Sequence, residues 1–132
     1  VYAAALNEGL LRPDEIIDCE NGHWVHAGRG LSDFHPYGRL TATDALKKSS
    51  NIAAAKIALR LGEEKLYRYL KAFGIGQPTG IELPGEEAGI LRPPSKWTKL
   101  SITRIPMGHE VASTGLQMVN ASNAVANGGA LM

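Results

Sequence analysis

Residues 46–62 read LKKSSNIAAAKIALRLG, and the side chains best suited to act on a bound molecule lie at the centre, in Ser49, Ser50 and Asn51. A serine hydroxyl can relay a proton and an asparagine carboxamide can hold a peptide amide, but neither supplies an activated nucleophile alone. The plainer reading is a helix cap, because Ser and Asn compete for nearby backbone groups and resist helix interiors. With seven Ser and six Asn in the chain, an S-x-N triplet arises by chance about 0.3 times, so its meaning depends on its surroundings.

Two other groups carry reactive side chains. Cys19, His23, His26 and His35 offer four potential zinc ligands. If HWVHA is a strand, however, His23 and His26 point to opposite faces, and the spacing lacks a C-x-x-C or H-x-x-x-H element. A polar hairpin is therefore expected, and no metal site. His109 and Glu110 in MGHE form an acid/base pair in type, but they are expected to face solvent from a loop, with no nucleophile nearby in sequence. Trp24 and Trp97 are expected to be packing residues.

The segments around Ser49 must make that junction rigid. Thr41 and Asp44 have N-cap and N3 spacing, with Leu40 and Ala45 placed as a hydrophobic staple, so TATDALKK predicts a short helix running into Ser49. Ser50 or Asn51 then caps the next helix. Within it, Ile52, Ala54, Ala55, Ile57, Ala58, Leu59 and Leu61 cover most of the circumference and leave Lys56 and Arg60 as a polar stripe. Gly62 ends this helix. Ser49 and Asn51 thus stand between two helix ends, near the positive end of a buried helix dipole.

Residues 1–9 read as the last turns of a helix, and EIIDC and HWVHA as short β runs joined by the turn signal ENG, which predicts a small hairpin. A third helix follows Glu63 and Glu64 with Leu66, Leu70 and Phe73 on one face. Residues 77–94 have the punctuation of an extended excursion. A last helix starts at Ser113 or Thr114, and its Ala, Ser and Asn content predicts close packing against a neighbour. The fold class expected is mainly α with a small β hairpin and extended loops.

The 132 residues carry 14 Lys and Arg against 13 Asp and Glu, and no window gathers the basic residues into a phosphate-binding face, so nucleic acid is not an expected partner. One cysteine excludes a disulfide-stapled fold. The most apolar stretch is interrupted by Lys56 and Arg60 and is too short to span a bilayer. Val1 opens inside a helical pattern and the chain stops after a Gly-Gly turn, so the sequence is expected to be a piece of a longer chain.

YGRLTATDALKKSSNIAAAKIALRLG, FGIGQPTGIELPGEEAGIL, the Trp of PSKW and LQMVNASNAVANGG, in that order, resemble the transpeptidase domain of class B penicillin-binding proteins. The resemblance covers residues 1–132. Three motifs define the active site of that family: S-x-x-K with the acylated serine, S-x-N, and K-[ST]-G on a strand. Only S-x-N occurs here, since no Ser is followed three residues later by Lys and no Lys opens a K-[ST]-G. The resemblance places S-x-x-K before residue 1 and K-[ST]-G after residue 132, making residues 1–132 the helical portion of one transpeptidase domain whose parent is α/β. Where the family often has G-Q-G, this chain keeps Gly108 but has His109 and Glu110.

By this resemblance, Ser49 is the hydroxyl that relays a proton during acylation and Asn51 the carboxamide that binds the donor peptide. Ser50 has only a capping role. The implied activity is serine D,D-transpeptidation, the cross-linking of peptidoglycan stem peptides, without a cofactor, on the extracytoplasmic face of the bacterial cytoplasmic membrane. The implied partners are stem peptides, β-lactams and other cell-wall synthesis proteins, with a membrane anchor outside these residues. This segment alone is expected to be inactive. The competing expectations are a penicillin-binding-like scaffold or sensor that has lost catalysis, and a free-standing helical interaction module.

Overall fold

Alanine has no side-chain entropy to lose in a helix, and a run of three between Ile52 and Lys56 makes residues 51–61 both helical and thin enough for close packing. The computed structural model describes residues 1–132. Its elements in chain order are α1 (Tyr2–Asn7), β1 (Ile16–Asp18), β2 (His23–His26), β3 (Arg29–Ser32), β4 (Arg39–Thr41), α2 (Ala42–Lys47), α3 (Asn51–Leu61), α4 (Glu63–Ala72), β5 (Ile90–Leu91), α5 (Ser101–Arg104), β6 (Val111–Ala112) and α6 (Gly115–Ala126). The architecture is mainly helical, with three separate two-stranded antiparallel sheets.

Helix α3 is the axis of the molecule. Ala53, Ile57 and Leu61 pack with Ala4 and Ala5 of α1, Ala45 of α2, and Ile17 and Cys19. Ala58 meets Leu66, Ile102 and Ile105 on another side, while Ile52 and Ala55 meet Leu31 of β3. Small residues at these contacts let neighbouring backbones approach, and the buried side chains fix the helix on three sides. The stripe left polar has its own work: Lys56 Nζ donates to Asp18 O (2.8 Å) and Glu20 Oε1 (2.6 Å), and Arg60 donates to Leu10 O (3.3 Å) and Glu15 Oε1 (2.5 Å). Both cations thereby tie loops of the preceding segment over α3.

The capping signals act as their spacing implies. The Thr41 hydroxyl accepts from Asp44 N, the Ser50 hydroxyl from Ala53 N, and Thr114 with Gln117 forms a full capping box on α6. Gly62 ends α3 with φ +79°. Leu40, the staple residue, packs against the cluster that contains Ala45.

The hairpin is not where ENG places it. Glu20, Asn21 and Gly22 take φ of +55°, +51° and +84° in succession, and this run of left-handed residues turns the chain away from β1. β2 pairs instead with β3, His26 opposite Arg29, through Ala27 and Gly28 at φ +49° and +77°, the signature of a type I′ turn. β1 pairs with β4, Ile17 opposite Leu40, and so fixes the start of α2. Helix α6 also differs from expectation. Only Gln117 and Ala124 are buried, and Val119 and Val125 are 66% and 67% exposed. No helix is long and apolar enough to cross a membrane.

Candidate functional site

The three residues of the S-S-N run have three different structural duties. Ser49 N donates to Leu46 O (3.0 Å) and Ser50 N to Ala45 O (2.9 Å), the paired bonds of a Schellman motif that closes α2. Ser49 is its left-handed residue, with φ +56°. Helices α1 and α4 end in the same pair of bonds with glycine at that position, Gly9 (φ +68°) and Gly74 (φ +83°). An L-residue there crowds its Cβ against the following carbonyl at a cost of roughly 1–2 kcal/mol. The exposed Ser49 side chain is thus held out from a position that elsewhere in this chain favours none.

Ser50 turns inward. Its buried hydroxyl donates to Asp33 Oδ2 at 2.6 Å, accepts from Ala53 N at 3.1 Å and lies 3.5 Å from the Cys19 sulfur. The other oxygen of the same carboxylate, Asp33 Oδ1, accepts from Ile52 N at 3.0 Å. Asp33 therefore places a negative charge on the first turn of α3, where the unpaired backbone N–H groups gather. Asn51, half-buried, donates from Nδ2 to Ser32 O at 3.2 Å. That leaves its Oδ1 and one N–H for an amide in the cleft.

Ser49 and Asn51 line a cleft of about 180 Å³ together with Val1, Tyr2, Ala54 and Pro106. The start of α1 and the α2–α3 junction thus share one opening, because α1 packs along α3 through Ala4 and Ala5. The Tyr2 hydroxyl is buried without a hydrogen-bond partner. Burial, then the proximity of Cys19 and of Asp33, pushes its phenol up to about 12. Burial also pushes the Cys19 thiol up, against the lowering effect of the Ser50 hydrogen bond, which makes it a packing group rather than a reactive one. A hydroxyl and a carboxamide on a rigid base can orient a peptide and pass a proton; the cleft holds no activated nucleophile among these residues.

The other candidates do not converge. Cys19 sits in the main core, His23 Nδ1 is 3.1 Å from Ser32 Oγ on the hairpin, and His26 stacks 5.2 Å from Trp24. No group of three or more His, Cys, Asp or Glu is arranged to hold a metal ion. His109 and Glu110 are both exposed, and Glu110 Oε1 accepts from the enclosed Ser101 hydroxyl at 3.1 Å, which anchors the loop. Trp24 packs against the Leu31, Ile52 and Ala55 cluster, and Trp97 packs near Leu66 while its Nε1 donates to Arg92 O at 2.8 Å. Asp33 was not visible as a site residue in the sequence. It lies 17 positions before Ser50 in SDFHP, a segment whose composition signals only a loop.

Comparison with known proteins gives one consistent answer. The model of the penicillin-binding protein transpeptidase domain matches residues 1–132. The chain is 37% identical over 130 residues to penicillin-binding protein PbpB of Mycolicibacterium smegmatis, covering 96% of this chain and 20% of that protein. It is 31% identical over 118 residues to the peptidoglycan D,D-transpeptidase FtsI of Buchnera aphidicola, covering 89% of this chain and 20% of that protein. Among solved structures, penicillin-binding protein 3 of Mycobacterium tuberculosis complexed with aztreonam superposes with a TM-score of 0.88 at 35% identity, over 95% of this chain and 28% of that one. The chain spans about a fifth of the length of the curated relatives it matches.

Proposed function

This chain belongs to the penicillin-binding protein transpeptidase family, and on that premise we propose that it is the S-x-N-bearing part of a peptidoglycan D,D-transpeptidase domain. Residues 1–132 form part of one such domain, with S-x-x-K ahead of residue 1 and K-[ST]-G beyond residue 132. The observation that carries this reading is the shared cleft: Val1 and Tyr2 border the same opening as Ser49 and Asn51. A serine and lysine on the same helical line as α1 would enter that opening beside the Ser49 hydroxyl.

In the proposed reaction that upstream serine attacks the carbonyl of the D-Ala-D-Ala peptide bond. The ester C–O bond forms as the C–N bond breaks, and the serine proton travels through the lysine and the Ser49 hydroxyl to the departing D-alanine amine. Asn51 holds the backbone of the donor stem while this occurs. An amine from a neighbouring stem then attacks the ester, forms the cross-linking amide and returns the proton to the serine. The aztreonam complex of the mycobacterial relative supports β-lactams as ligands of the same site. The reading extends to a protein on the outer face of the cytoplasmic membrane, anchored outside these residues and working with other cell-wall synthesis proteins.

The test is the intact mass of the full natural chain after incubation with benzylpenicillin, with residues 1–132 as the blank. An adduct on the full chain alone supports an acylation site served by Ser49 and Asn51. A folded full chain that gains no mass overturns the enzyme reading in favour of a silent scaffold or sensor domain.

A further inference from the structure

We propose that Asp33 is a positioning residue for the S-x-N site, holding Ser49 and Asn51 in their working geometry through Ser50 and the first turn of α3. The inference rests on the proton-relay and peptide-binding roles proposed for Ser49 and Asn51. Ser49 stands at φ +56°, in the position that glycine takes at the ends of α1 and α4. A strained residue of this kind persists only where its surroundings over-determine it.

The residue that fixes Ser49 from its C-terminal side is Ser50, and Ser50 is held by one carboxylate. Asp33 Oδ2 accepts its hydroxyl at 2.6 Å while Oδ1 accepts Ile52 N–H at 3.0 Å, so the two oxygens straddle Asn51 in sequence. The neighbouring carbonyl, Ser32 O, takes the Asn51 carboxamide at 3.2 Å. The end of β3 thus grips all three residues that come after Ser49. Its own place is fixed by Leu31, which packs on Ile52 and Ala55, and by Asp33 N donating to Gly22 O at 3.0 Å. Charge-assisted hydrogen bonds of this length are stronger and more directional than neutral ones, which suits a device that must hold an angle. Asp33 itself is only half-buried and reaches substrate through none of these contacts.

The experiment uses the full natural chain and the rate constant for acylation by a fluorescent penicillin, read beside the thermal midpoint. Asp33→Asn keeps the size and one acceptor for Ile52 N–H but loses the charge. It is expected to slow acylation about tenfold or more, as small displacements of positioned groups do. The double variant D33N/S49A is expected to fall below S49A by a smaller factor than D33N falls below the parent, because S49A has already removed the hydroxyl that Asp33 positions and leaves only the share exerted through Asn51. If D33N acylates at the parental rate, or if its effect multiplies fully with that of S49A, the positioning role is wrong. If S49A itself acylates at the parental rate, the reading of the S-x-N site fails first and takes this inference with it. Should D33N fail to fold, Ser50→Ala, which removes the hydroxyl that Asp33 accepts together with its cap on Ala53 N, goes through the same cycle with the same outcomes.

Discussion

Ser49 occupies at the end of α2 the place that Gly9 occupies at the end of α1. Both are the left-handed residue of a Schellman motif, at φ +56° and +68°, with matching hydrogen bonds back into the helix. The two ends differ in the chain beyond them. After Gly9 the chain enters a loop, whereas after Ser49 it starts α3, which buries six of its 11 residues, with a hydroxyl and a carboxamide beside an open cleft.

Ser49→Gly is accordingly expected to raise the stability of the full chain by about 0.5–1 kcal/mol, the relief of Cβ strain less the added flexibility of the unfolded chain. Denaturant titration measures this, and the same variant should acylate with benzylpenicillin more slowly. A variant less stable than the parent would mean that Ser49 is not strained.

Tyr2→Phe removes a buried hydroxyl that has no hydrogen-bond partner, and an unsatisfied group of this kind costs about 1–3 kcal/mol. The variant should melt higher than the parent near neutral pH. It should also lose an alkaline dependence. The folded phenol ionises at about 12 against an ordinary value of 10.0, so its contribution is intact below the unfolded value and is lost as pH rises through the folded one. An unchanged alkaline limb in Tyr2→Phe would contradict the burial of this group.

Gln117 is a fully satisfied buried amide. Its Nε2 donates to Gln77 O and Ala88 O, both at 2.8 Å, and its Oε1 accepts from Thr114 N at 3.0 Å. Gln117→Leu fills the space but orphans these groups, with an expected loss of about 2–3 kcal/mol. The check is a chemical denaturation curve, in which a shift of the midpoint too small to measure would show that the 77–91 loop does not depend on this tie.

At the acid end, four carboxylates are held low: Asp14, by the hydrogen bond from Arg12, and three glutamates. Glu8 is held below its ordinary value first by the hydrogen bond from Lys65 and then by that from Tyr69, Glu15 by the hydrogen bond from Arg60, and Glu86 by the Thr79 hydroxyl and then the Thr79 N–H. Because the folded values are depressed, the unfolded chain binds more protons between the two. The stabilising effect of the glutamates is present above the unfolded value of 4.5 and disappears as pH falls through the folded values. Thermal midpoints recorded from neutral pH down to about pH 3 should therefore fall, and Glu86→Gln should flatten part of that fall. A Glu86→Gln profile parallel to the parent's would remove Glu86 from the account.

The sequence by itself determined what lies within about four residues along the chain, because helix caps and helix periodicity are local interactions. Thr41, Ser50 and Thr114 cap their helices, Gly62 ends α3, and the apolar circumference of residues 51–61 makes that helix central. The ordered motif blocks likewise made the family legible. Tertiary structure alone decided which strand β1 joins, because pairing with β4 depends on a chain reversal through three left-handed residues that ENG does not announce. It also decided that Asp33 meets Ser50 and that α1 shares a cleft with Ser49. Those meetings arise from how Leu31, Ile52, Ala5 and Ile57 fill the space around α3, and a packing arrangement among residues far apart in sequence leaves no local pattern to read.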